Sequence, residues 1–424
     1  MRIIKSLDLY SFFILLFSLP FGKSLFTPIL FLWLTITLIS YFIKGDYSIN
    51  QFRSPLILLV LFYLLYALSV MLSSPLKEGF SELIFKLPLL LLPVLYPSKR
   101  ETYKNSNSKF FVSFISGCVI ASIFYFSYAL YRSYSLVENN WVFNPVPKYG
   151  WNNNFLSSEL SVLIHPSYFA LFLLVSLLII SVSGKNLWSK ELKIKIAIIL
   201  TLAIFVISLF MLQSRAGLLG FGGLVLTWIY YIVFVKRKYF IGLVFLIGII
   251  TVFFFSFQIF DRFSNTVKSV EKTITSGISD KDKEDGNSVR FWIWKSALTV
   301  IEEHPFWGIG PKNVKETLNK EYIRRGMDGA SVLKLNAHNQ YLETWLGVGV
   351  IGFISLLAML FVPLWLGIKY RDWLLVGFIC LCSTSFMFES MLERTAGIAF
   401  FAIFYTIFAS QYLEIKVDSV SERN

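Results

Sequence analysis

Twelve apolar runs, most of them close to the length of a membrane span, set what this chain can fold into. They fall at roughly 7–22, 25–43, 54–73, 81–97, 109–132, 162–182, 194–213, 216–235, 239–258, 339–367, 373–389 and 395–413. A helix needs about 20 predominantly apolar residues to cross the hydrocarbon core of a bilayer. Lipid offers the backbone no hydrogen bonds, so such runs cross as helices. The pattern predicts an all-α polytopic membrane protein with about 12 transmembrane helices. Composition agrees: 56% of residues are hydrophobic and only 15% are charged, against about 25% charged in soluble domains. The first and fourth runs are the shortest, and Pro88 and Pro93 interrupt the fourth. The chain divides into transmembrane helices one to nine over 1–258, a large outer loop over 259–337, and helices ten to twelve with a short tail over 338–424.

The charges mark loops. A formal net charge of +13 is therefore no sign of nucleic-acid binding; the lipid bilayer is the expected partner. Alternate short segments carry most of the Lys and Arg, among them Lys99, Arg100, Lys104 and Lys109, then Lys236, Arg237 and Lys238, then Lys369 and Arg371. By the positive-inside bias these segments, and both termini, are cytoplasmic. The first span has no small-residue processing site and is expected to remain. The three cysteines, Cys118, Cys380 and Cys382, lie within apolar runs and imply no disulfide framework or metal knuckle. On this topology Arg215, Arg290 and His338 share the outer side. The segment 133–161, with Trp141 and Trp151, and the nearby His165 share it too.

The outer loop carries helical patterning. Phe263, Val267, Val270, Ile274 and Ile278 form one apolar stripe. Asp280 to Gly286 is a charged break, and its Asp280 and Asp282 read as a solvated turn rather than a metal site. A second helix is expected over Arg290–His304, with Trp294, Ala297, Leu298 and Ile301 on one face. Pro305–Asn313 is a Gly/Pro turn in which Gly308 and Gly310 permit positive φ or close backbone approach. A third helix is expected at about Val314–Arg325, stopping at Gly326. Together these predict a helical cap over the outer face.

Three stretches carry residues suited to chemistry. In Asn336–Phe353, NAHNQYLETWLGVGVIGF, a polar His-bearing segment runs directly into an apolar helix. Asn336 stands where a cap would, with His338 and Asn339 expected in the first turn. That turn presents unpaired N–H groups and the positive end of the helix dipole, which favours a bound anion and a neutral imidazole. A neutral His there can accept a proton from a hydroxyl. Gly347, Gly349 and Gly352 are spaced to admit a neighbouring helix. In Ser214–Gly223, SRAGLLGFGG, Arg215 is held at the edge of the apolar zone, where charges are usually paired or functional. Arg290 opens RFWIW. Two guanidinium forks and a helix N-terminus on one face suit a lipid-linked diphosphate. His165, opening the sixth span, is a candidate to line an acceptor site. Glu389, Glu393 and Arg394 read as an outer turn in which Arg394 pairs with either carboxylate. Lys86 within the fourth span is left open, His304 reads as structural, and Trp292, Trp294 and Trp307 read as interfacial anchors.

SRAG before a span, RFWIW followed by HPFWGIGPKN, and AHNQYLETWLGVGVIGF together resemble the O-antigen ligase family, whose C-terminal domain also occurs in O-antigen polymerases and some bacterial O-oligosaccharyltransferases. The likeness is strongest over about 200–360. It implies a GT-C-type membrane glycosyltransferase in the bacterial inner membrane, with its site facing the periplasm. The implied donor is a glycan on undecaprenyl diphosphate, and the implied acceptor is a sugar hydroxyl of lipid A–core. The transfer is inverting and uses no metal or other cofactor. His338 is similar to the family's catalytic histidine, Arg215 and Arg290 to its diphosphate-contacting arginines; Asn339 and His165 are candidates for support or acceptor binding. Polymerisation of lipid-linked repeats is the main alternative. Protein O-glycosylation is a lesser one, and so is transport of lipid-linked glycans.

Overall fold

The computed structural model describes residues 2–44, 54–73, 76–96, 103, 106–137, 140–146, 153–187, 191–237 and 288–413. The ninth apolar run, the Phe263–Ile278 stripe, the Asp280–Gly286 break and Trp151 lie outside these residues. Each of the other apolar runs is helical. In order these are α1 (Arg2–Ser18), α2 (Lys23–Lys44), α3 (Ile57–Ser73), α4 (Leu76–Leu95), α5 (Asn107–Ser133), α6 (Pro166–Leu187), α7 (Leu192–Leu212) and α8 (Arg215–Tyr230). Two further helices, α9 (Ser288–Glu303) and α10 (Val314–Arg324), follow. Then come α11 (Gln340–Lys369), α12 (Trp373–Phe388) and α13 (Thr395–Ala409). Among the described residues six helices are long and apolar enough to cross a membrane: 23–43, 107–133, 192–212, 215–233, 340–369 and 395–412. Ser6–Phe21, Ile57–Ser73, Pro166–Val182 and Trp373–Phe388 are shorter apolar helices. Pro88 and Pro93 do not interrupt α4, which runs helical through both; neighbouring helices can re-satisfy the backbone groups that proline frees.

The all-α expectation holds among the described residues, with one short hairpin beside the helices. α5 continues into a two-stranded antiparallel hairpin, β1 (Tyr134–Val137) and β2 (Asn140–Phe143), in which Leu136 faces Trp141. Its aromatic and β-branched residues suit a strand.

α13 is the central element, buried from Ala396 to Ala409. It packs against α4 and α12, α12 against α6 and α8, and α11 against α3 and α12. Interlocked phenylalanines fill the middle: Phe172 stacks on Phe400 at 4.3 Å between ring centroids, and Phe114 meets Phe404 at 4.7 Å. Such pairs favour offset or edge-on geometry over a face-to-face sandwich.

The cap has its own small core. Ile293, Ala297, Val300 and Ile301 of α9 pack with Val314, Leu318 and Tyr322 of α10 and with Leu346 of α11. The buried face of α9 thus differs from expectation, because Leu298 is exposed. α10 ends as its sequence predicts, with Gly326 at φ 65°.

Candidate functional site

α11 begins one turn later than its sequence suggests. Asn339, not Asn336, is the N-cap: its Oδ1 accepts from the backbone N–H of Tyr341 and Leu342 at 2.9 and 3.1 Å. Asn336 instead closes a local turn, its Oδ1 accepting from His338 N at 3.2 Å. His338 therefore precedes the helix and adopts the left-handed region at φ 45°. Few non-glycine residues sit there, histidine more often than most. Its neighbours hold it. The Ala337 N–H donates to Glu343 Oε2 at 2.8 Å, and the Ala337 carbonyl accepts from Trp294 Nε1 at 3.0 Å. Trp292 is buried, Trp294 holds this loop, and Trp307 is exposed.

Gly347 lets α3 approach, its carbonyl accepting from Ser69 Oγ at 2.8 Å, but Gly349 seats a loop instead of a helix. Gly349, at φ 76°, breaks the helix, and the freed backbone groups bond the Pro305–Gly310 turn. Ile309 N donates to the Leu346 carbonyl at 2.8 Å, Gly310 N to the Gly347 carbonyl at 3.1 Å, and Val350 N to the Pro305 carbonyl at 3.0 Å. A Cβ at Gly308 or Gly349 would collide with backbone across this contact. The cap is thus joined to the membrane helix by main chain.

Glu389, the residue that sequence reasoning assigned only to an ion pair, stands at the centre of the site. Its Oε2 lies 3.2 Å from His338 Nδ1. Its Oε1 accepts from Arg290 Nη2 at 3.2 Å and from Ser167 Oγ at 3.4 Å. Arg290 also donates to the Phe388 carbonyl at 2.9 Å. Ser214, which caps α8, donates to Ser167 Oγ at 3.3 Å. The α8 N-terminus, with exposed Arg215 as its first residue, is therefore linked through two hydroxyls to the carboxylate that holds His338 and Arg290. SRAG, RFWIW and AHN converge on one residue of FMFES. Arg394 pairs with neither carboxylate: Glu389 is taken by Arg290 and His338, and Glu393 by Lys86 at 3.0 Å. The Arg394 guanidinium is exposed and makes no hydrogen bond or ion pair among the described residues.

Burial pushes the Glu389 carboxyl up. The His338 hydrogen bond and the charges of His165, His338 and Arg290 outweigh it, and the group is held below the usual carboxylate range. His165 is exposed at its edge. The protein around it still draws its imidazole below the ordinary value; Glu389 opposes that shift, while His338, Arg290 and Arg394 add to it. Glu389 is thus an anion, and an anion on Nδ1 of a neutral imidazole leaves the lone pair on Nε2. Among the described residues no group of three or more His, Cys, Asp or Glu side chains could hold a metal ion.

Residues 200–357 match the family model described as O-antigen ligase, and this interval contains Arg215, Arg290 and His338. Glu389 lies beyond it. An uncharacterized protein of Haemophilus influenzae is 27% identical over 388 residues, covering 88% of this chain and 86% of that protein.

Proposed function

Since the chain belongs to the O-antigen ligase family, we propose that it transfers a glycan en bloc from undecaprenyl diphosphate to a sugar hydroxyl of lipid A–core. The transfer takes place at the periplasmic face of the bacterial inner membrane, in a GT-C-type arrangement of about twelve spans. The observation that carries this reading is the His338–Glu389 pair set beside Arg290, at a capped helix start.

Glu389 holds the His338 imidazole by Nδ1, and Nε2 takes the proton of the acceptor hydroxyl. The acceptor oxygen forms its bond to the anomeric carbon opposite the diphosphate. The bond from that carbon to the diphosphate oxygen breaks, and the electron pair leaves with undecaprenyl diphosphate, so the anomeric centre inverts. Diphosphate is a good leaving group and needs charge stabilisation more than a strong acid. Arg215 supplies positive charge at the α8 N-terminus. Arg290 contributes although Glu389 shares its charge, and Arg394 is a third guanidinium on the same turn as Glu389. Asn339 supports His338 by capping α11, and the exposed edge of His165 is placed to line the acceptor path.

The test is transfer by purified protein given undecaprenyl-diphosphate glycan, with and without lipid A–core. The expected result is new product on lipid A–core, unchanged by chelator and reduced roughly 10²–10⁴-fold in His338→Ala, the usual worth of a general base. Elongation of donor in the absence of lipid A–core would make the chain a polymerase. Undiminished transfer by His338→Ala would remove His338 from the chemistry.

A further inference from the structure

Lys86 of α4 lies far from the family-matched interval, yet its side chain is 1% exposed and fully engaged. Its ammonium donates to the Leu392 carbonyl, pairs with Glu393 Oε2 at 3.0 Å, and sits 4.1 Å from the Tyr66 ring centroid. Glu393 Oε1 accepts from Tyr66 Oη at 3.0 Å and from Gln340 Nε2 at 3.2 Å. Gln340 Oε1 in turn accepts from the Leu392 N–H at 2.6 Å. Both oxygens of Glu393 and both backbone polar groups of Leu392 are therefore held. These residues belong to the two segments that carry the His338–Glu389 pair: Gln340 follows His338 by two residues, and Leu392 follows Glu389 by three.

A buried ion pair is a weak source of net stability, because desolvation offsets its attraction, and an apolar pair of like volume often does as well. Geometry is what a fully satisfied buried network supplies. We propose that Lys86 is a positioning residue: through Leu392 and Glu393 it fixes the 389–394 turn against the start of α11, and so sets the contact between Glu389 and His338. The N-terminal helices α3 and α4 thereby complete a site whose acting residues come from the other half of the chain. The catalytic consequence rests on the transfer reading above; the positional claim does not.

Lys86→Met alone would strand the Glu393 carboxylate and endanger folding. The variant to make is Lys86→Met with Glu393→Gln, which removes both charges and keeps the volume. The chain has three histidines, His165, His304 and His338, so ¹⁵N-histidine spectra of the full chain in lipid are simple to assign. The expected result is a folded variant whose His338 Nδ1 signal moves off its carboxylate-bonded position while that of His304 stays. Its kcat should fall about tenfold to a hundredfold, the effect of a small displacement relayed from a distance, with donor KM within about twofold. A folded double variant with wild-type His338 signal and wild-type kcat overturns the proposal. Should it not fold, Tyr66→Phe decides: it removes one donor to Glu393 without changing shape, and an unmoved His338 signal there overturns it equally. If the wild-type chain transfers no glycan, the transfer reading fails and the His338 signal alone settles the positioning claim.

Discussion

A single carboxylate, Glu389, takes His338 Nδ1, Arg290 and Ser167 at once and is almost wholly buried. Removing it leaves the imidazole unoriented and the guanidinium short of its counter-charge. Glu389→Gln is expected to lower kcat roughly 10²–10⁴-fold, comparable to loss of the base, with a smaller effect on donor KM. The same residue sets a pH dependence of stability. Its carboxyl is held below the ordinary carboxylate range in the fold and returns to that range when unfolded. Its contribution is therefore complete above the ordinary carboxylate range and is lost as pH falls through the folded value. Thermal midpoints in detergent should decline as pH drops below about 4.5, the ordinary range for such a group. Glu389→Gln should lower the neutral-pH midpoint and flatten that decline; an equally steep decline in the variant would sink the assignment. His338 and Arg290 were legible in the sequence because each sits in a local motif. Glu389 was visible only as one of two acids near Arg394. Its true partners are 51 and 99 residues away, and no helical spacing encodes which cation reaches which carboxylate.

At the scale of the element, the break at Gly349 shows how far periodicity can be read. The apolar run of α11 and its length were plain in the sequence. Its closely spaced glycines read as a groove for a neighbouring helix. The structure uses that approach for α3, through Ser69 on the Gly347 carbonyl, and adds the Pro305–Gly310 turn, which takes the carbonyls that the broken helix exposes. The start of α11 was misread for a related reason. Asn336 and Asn339 are both competent caps, and what selects Asn339 is the anchoring of Ala337 by Glu343 and Trp294. Gly349→Ala should be severe: its Cβ would lie 2.1 Å from the Phe306 carbonyl oxygen, at a φ of +76°. We expect a loss above about 1 kcal/mol, since alanine resists positive φ even without a clash. It should appear as a lower melting midpoint and as protease sensitivity of the cap. Gly222→Ala in α8, where a Cβ meets nothing within 4 Å, is the control. It should be neutral or stabilising by up to about 1 kcal/mol, the helix preference of alanine over glycine. Equal damage from the two substitutions would contradict the account of the kink.

The whole molecule turns on sidedness. Beyond the break at Gly349, α11 continues from 350 to 369, which at 1.5 Å per residue is about 30 Å, enough for a hydrocarbon core of about 30 Å. His338 stands just before its start and Lys369 closes its end, so the site and the Lys369–Arg371 turn lie at opposite ends of one helix. On the proposed reading, the positive-inside bias would put that turn in the cytoplasm and the site outside, where the lipid-linked glycan would be met for transfer to lipid A–core. The apolar runs carried the helices plainly, as their helical state among the described residues shows. What they did not carry was the joint between halves, Lys86 to Glu393, because an isolated lysine in a span is equally a snorkelling residue. Sidedness can be read directly. Cys118 and Cys382 are buried and Cys380 is exposed, so a background with Cys380 replaced by Ser leaves no reactive native thiol at the surface. In that background Val332→Cys, at a cap position 81% exposed, should react with a membrane-impermeant maleimide in intact spheroplasts. Arg371→Cys should react only after lysis. The reverse pattern would place His338, Glu389 and the arginines on the cytoplasmic side, facing away from both glycolipids, and the transfer reading would fall however well the site is built.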